Sequence, residues 1–138
     1  MDNAVKAKID SLYEAFSVLS NGAYTYITDM GTDWTRWSKE AVRYFGLPDE
    51  YMQGVAYTWM ERIHPDDRAA YKENIDKVMS GQLSEHNLQY RVLTKDGRYI
   101  VCTCRGVVLR DGNGTPDFFG GIIKNNDTLS YFDDISNM

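Results

Sequence analysis

Cysteine is nearly missing from this chain, with two in 138 residues, Cys102 and Cys104. Strand alternation puts both on one face. Residues so placed along one strand do not meet disulfide geometry. No second pair exists to build a zinc site or a disulfide framework, so both are expected to be buried small apolar residues. Basic charge is also short: 15 Lys and Arg against 20 Asp and Glu give a net charge of −5 and a pI near 4.9. That balance argues against nucleic acid or an anionic membrane as the main partner. Lys6 and Lys8, the one basic grouping, read as helix surface. No apolar run approaches membrane-spanning length, and the charged start lacks the apolar stretch of a signal peptide. A cytoplasmic location without direct membrane insertion is therefore expected. Internal repeats and low-complexity linkers are missing as well.

What is present is a core in sequence form. Hydrophobic residues make up 43% of the chain and aromatics 13%, with ten Tyr and three Trp. A chain of this length reads as one domain able to bury a core without staples. Val5, Ile9, Leu12, Phe16 and Leu19 stand four, three, four and three apart. That spacing predicts an amphipathic helix over residues 2–19, capped by Asp2 and stopped by Asn21-Gly22. The stripe fits packing on the domain's own sheet, and it equally fits a short coiled-coil seam in a homodimer.

Residues 23–30 and 34–37 predict a hairpin around Gly31-Thr32-Asp33. Ser38 caps a helix to Phe45, ended by Gly46-Leu47-Pro48. Residues 48–56 read as irregular with one helical turn, and residues 57–62 as a short helix. His64-Pro65-Asp66-Asp67 then opens a longer helix to Met79. Pro65 suits a first helical position, and the two acids complement the helix dipole. Three strands follow, at residues 86–94, 99–109 and 117–124. Asp96-Gly97 and the polar turn at residues 111–116 separate them. The last strand is apolar on both faces: Phe118 and Ile122 on one, Phe119 and Ile123 on the other. Such a strand must be covered on both sides. The reading is an α+β domain: a five-stranded antiparallel sheet with helices inserted between strands 2 and 3, plus the N-terminal helix.

Ile63-His64-Pro65-Asp66-Asp67-Arg68, the stretch from Tyr90-Arg91-Val92 to Lys95-Asp96-Gly97-Arg98-Tyr99, and residues 111–116 before Phe119-Gly120-Gly121 resemble the PAS domain family. Within it they are most similar to the subgroup found in bacterial signalling proteins. The likeness spans residues 22–125, with residues 1–21 as the helix before it and 126–138 as a linker toward an output domain. It implies a curved sheet enclosing a cleft, and a sensor or dimerisation role regulating an attached output domain. The family's last strand often runs into Asp-Ile-Thr, where this chain has Asn125-Asn126-Asp127-Thr128. Phe132 to Met138 resembles the opening of a GGDEF-type diguanylate cyclase, with Asn137 departing at a Gly; a histidine kinase is the other output considered.

No catalytic residue is assigned. Haem-binding relatives use a His on the long helix, but His64 sits at the helix start, where capping accounts for it. Flavin photosensors carry a reactive Cys in the central helices, and residues 44–62 contain none. Haem and covalent flavin are thus not expected, and the purified protein should be colourless beyond the aromatic band. His86 has no second metal ligand nearby in sequence. Asp66 and Asp67 point apart around a helix, so they do not form an acid pair. Gly120-Gly121 would permit close backbone approach by a ligand. The candidate lining of a small-molecule pocket is Tyr26, Trp37, Phe45, Trp59, Met60, Tyr90, Cys102 and Ile122. Two other readings remain beside the sensor: a protein-interaction domain with a filled core, and a small cone-like α+β enzyme, which would need a buried acid or His facing the cavity, and the strand faces are expected to supply neither.

Overall fold

The computed structural model describes residues 1–127. The expected linker beyond that point, with its cyclase-like end, lies outside the described residues.

The chain opens with α1 (Asn3–Leu19), whose N-terminus is capped by Asp2 accepting from the Ala4 and Val5 amides. Strands β1 (Tyr24–Asp29) and β2 (Thr35–Trp37) form the expected hairpin. Ser38 caps α2 (Lys39–Phe45), and Gly46 ends it in the left-handed conformation at φ 66°. Next come β3 (Tyr51–Met52), α3 (Val55–Arg62), a 3-10 turn at Pro65–Asp67 and α4 (Arg68–Met79). Strands β4 (His86–Leu93), β5 (Tyr99–Arg110) and β6 (Pro116–Asn125) complete the order.

All strand pairs are antiparallel, in the order β3-β2-β1-β6-β5-β4. The sheet thus has six strands rather than the expected five. The extra one is β3, inside the segment read as irregular. Two residues carry no visible alternation, and Tyr51 and Met52 extend only because they pair with Arg36 and Thr35. The long helix also starts later than expected, because the segment opening at Pro65 is a tight 3-10 turn before α4.

The two faces of the sheet are covered differently. The inner face packs on α2, α3 and α4, burying Phe45, Trp59 and Val78 with Tyr90, Cys102, Cys104, Phe119 and Ile123. Both cysteines are free and buried there, as expected. The outer face carries α1. Ile9 is fully buried against Ile27 and Phe118, flanked by Val5, Leu12 and Phe16. The N-terminal stripe is therefore used internally as far as Phe16. Leu19 stays 81% exposed and Val18 83% exposed.

A polar clamp fixes α1 to the sheet edge. The Asp10 carboxylate accepts from Lys6 Nζ at 2.8 Å, Arg36 Nη1 at 3.0 Å and Tyr51 Oη at 2.6 Å. Arg36 also lies 3.8 Å over the Tyr13 ring. Burial alone would raise the Asp10 carboxyl, but its donors outweigh that and hold it below the usual range.

Candidate functional site

One row of the sheet builds the floor of an internal cavity. In register across five strands stand Trp37, Tyr26, Gly121, Gly106 and His86. The third and fourth positions have no side chain, and Tyr26 and Phe119 reach over Gly106. A Cβ at Gly106 would meet Tyr26 Oη at 2.5 Å and Phe119 Cζ at 3.0 Å. At Gly121 it would run into the Arg105 carbonyl and the Gly106 Cα of β5. The glycines serve close packing inside the protein, not the ligand approach expected of Gly120-Gly121. At Gly120 the space is taken by the Ile27 side chain on the outer face.

Above this floor lies a cavity of about 150 Å³. Its walls are aromatic and aliphatic: Tyr26, Trp37, Trp59, Tyr71, Tyr90 and Phe119, closed by Val55, Ile75, Met79 and Ile123. Met30 and Asp33 mark its exposed side. There Asp33 Oδ2 accepts from the Gly54 amide at 2.8 Å and Gln53 Nε2 donates to the Thr32 carbonyl at 3.0 Å. These two bonds tie the β1–β2 turn to the start of α3.

Besides the tyrosine hydroxyls, Thr28 and Asp33, three side-chain nitrogen groups stand in the wall. Trp59 Nε1 donates to Tyr90 Oη at 2.9 Å. Trp37 is 2% exposed, and its Nε1–H is buried without a hydrogen-bond partner among the described residues. His86 is 1% exposed, and its Nδ1 lies 2.6 Å from the Asn74 side-chain oxygen. An amide oxygen only accepts, so Nδ1 carries the proton and Nε2 is the acceptor. Burial pushes the His86 pKa down to about 4, against a smaller upward pull from Glu85. The ring is therefore neutral at physiological pH. Burial holds the Tyr26 and Tyr90 hydroxyls well above their ordinary range, so they stay protonated.

Of the sequence-derived pocket residues, Tyr26, Trp37, Trp59 and Tyr90 come together around the cavity. Phe45 stands one layer back, edge-on to Trp59 with centroids 5.2 Å apart. Met60 packs on the margin of the core and Cys102 within it, neither on the cavity wall. Ile122 belongs to the other side: it lies in an outer groove with Phe16, Leu19 and Val107, while its neighbour Ile123 faces inward. Strand parity decides this, since Phe119 and Ile123 share the inner face and Phe118 and Ile122 the outer.

His86 and Tyr71 were missed. His86 looks like an isolated residue at a strand start, and only its register with Gly106 puts it on the cavity row. The expectation that strand faces supply no buried His is corrected by it. His64, by contrast, does cap: its Nδ1 accepts from the Asp66 amide at 3.1 Å. Asp67 turns away from Asp66 and binds Arg91, taking two guanidinium bonds and one amide bond at 2.9 Å. Those Arg91 bonds hold its pKa down at about 2. Among the described residues no group of three or more His, Cys, Asp or Glu is placed to hold a metal ion. No helix among them is long and apolar enough to cross a membrane.

The fold recurs in domains of known proteins. A domain of a sensory box histidine kinase/response regulator from Burkholderia thailandensis superposes with a TM-score of 0.66 at 22% identity, over 88% of this chain and 92% of that one. The N-terminal domain of a diguanylate cyclase with a PAS/PAC sensor from Marinobacter aquaeolei gives 0.65 at 20% identity, over 78% and 98%. The PAS-B domain of Drosophila melanogaster Cycle, solved with bound ethylene glycol, gives 0.55 at 23% identity, over 74% and 96%. At these identities the likeness is one of fold. No curated protein matches the chain by sequence. The sequence model of the PAS fold matches residues 35–123, from β2 to the inward-facing end of β6, and the chain thus belongs to the PAS fold family.

Proposed function

We propose that this chain is the regulatory sensor module of a bacterial signal-transduction protein, binding a small molecule in the inner cavity to control an attached output domain. The carrying observation is the aromatic cavity, which holds a buried unpartnered Trp37 N–H and a neutral His86 whose Nδ1 is already engaged. Buried polar groups of this kind are normally satisfied, so they mark a place where a ligand or ordered water completes the wall. Among the described residues the wall carries no Ser, Cys or Lys, and its one imidazole, His86, is held neutral by burial, so the arrangement suits recognition.

The output is proposed to be a diguanylate cyclase or a histidine kinase, by analogy with the two bacterial relatives. Homodimerisation is a second part of the proposal, resting on the exposed Val18 and Leu19 beside the outer groove.

Native mass spectrometry of protein purified from its own host tests the binding role. A co-purifying small molecule is expected, lost when Ile75→Phe fills the cavity. Output activity of the intact native protein should change with the same substitution while circular dichroism stays unchanged. An empty protein whose output ignores Ile75→Phe would remove the sensing role.

A further inference from the structure

The chemistry of the wall narrows what it can hold, given that the cavity is the sensing site. A volume of about 150 Å³ is well below the roughly 300–1,000 Å³ of pockets for drug-sized ligands. It matches the size of an apolar cavity that holds benzene, about 150 Å³. One six-membered ring fits; a three-ring flavin or a tetrapyrrole does not. The walls favour a flat partner, because Trp37, Tyr26, Phe119 and His86 form a chain of tilted rings with successive centroids 5.6, 5.7 and 6.1 Å apart. Aromatic pairs at such separations add to simple burial.

Charge is decided by what surrounds the cavity. Among the described residues no cationic side chain lines it, and its exposed side carries Asp33. An anionic ligand would lose its hydration and meet a carboxylate, with nothing to offset either cost. A wholly apolar ligand would leave His86 Nε2 without a donor and the buried Trp37 Nε1–H without an acceptor, since neither has a hydrogen-bond partner among the described residues.

We infer that the cavity takes an uncharged single-ring aromatic molecule bearing a hydroxyl or amine, which donates a hydrogen bond to His86 Nε2. Asn74 sets the tautomer from α4, so it is a positioning residue for this contact.

The test uses probes of one size and different chemistry on the purified protein, followed by calorimetry and by the fluorescence of Trp37 and Trp59. The probes are phenol, toluene, benzaldehyde and benzoate. Phenol and toluene have nearly the same shape, and hydrophobicity alone favours toluene. Phenol is expected to bind about threefold to tenfold more tightly than toluene, the worth of one buried hydrogen bond. Benzaldehyde, which only accepts, should rank below phenol, and benzoate should not bind. His86→Leu should reverse the order of phenol and toluene. The wild-type ranking carries the test even if that variant fails to fold.

Toluene or benzaldehyde binding more tightly than phenol would overturn the donor to His86. Benzoate binding would overturn the charge class. Either result would leave the cavity a ligand site and the sensor reading intact. Binding of none of the four would overturn the ligand class, and Ile75→Phe in the native protein would then judge the sensor reading separately.

Discussion

A histidine held neutral by burial makes the fold sensitive to acid. Burial lowers the His86 pKa to about 4, while in the unfolded chain it lies near 6.5. Between those values the unfolded state binds a proton that the native state refuses, so stability falls as pH drops. The full contribution is present above pH 6.5 and is lost by about pH 4. A gap of that size is worth about 3 kcal/mol. Urea unfolding at pH 7 and pH 4.5 should show the decline, and His86→Gln should remove most of it; equal slopes in both proteins would refute the assignment. Gly121 is the other decisive residue. A methyl group there collides with the β5 backbone, which cannot swing aside. Gly121→Ala should cost about 3 kcal/mol, as overpacking does. Gly112→Ala, in open space, should stay within about 0.5 kcal/mol in the same unfolding measurement.

At the scale of elements, α1 has two tasks that its spacing could not separate. The heptad-like stripe fitted a partner helix as well as a sheet. In the structure Ile9 is sealed against Ile27 and Phe118, so Ile9→Glu should break the fold rather than an oligomer. A loss of about 3–5 kcal/mol is expected for a charge buried without a partner. Thermal melts check this: an unchanged Tm alongside a changed molecular mass would show that the stripe serves an interface instead. Strand and helix positions were otherwise legible because alternation, caps and turn residues agree along the chain. β3 was not, since a two-residue strand owes its existence to pairing with β2. The cavity was half legible. Large aromatics such as Trp37 and Tyr90 announce themselves, whereas His86 and Ile123 enter it through register and parity. Ile122 was misplaced by a single residue, which on a strand is a change of face.

For the whole molecule, the two sides of the sheet divide the work. The inner side encloses the cavity, and the outer side leaves Val18 and Leu19 in the open at the end of α1. If they form a contact between two copies, Leu19→Glu should lower the mass seen by light scattering while leaving Tm unchanged. Equal masses for both proteins would exclude Leu19 from any such contact. Family membership was legible from the His-Pro-Asp-Asp and Lys-Asp-Gly-Arg signatures. The chemistry of the cavity was not, because no single stretch of sequence contains it.

Strand β2 is three residues long, and its last two side chains belong to different worlds. Trp37 is wall to the cavity; Arg36, one residue before it, grips Asp10 of α1 across the sheet. A ligand that displaced the indole would act next to Arg36, whose ion pair to the terminal helix is 3.0 Å long. Amide hydrogen exchange in α1 should therefore shift when phenol occupies the cavity, and Arg36→Ala should silence that response while leaving phenol affinity unchanged. An equal shift in both proteins would mean that the message travels by another route.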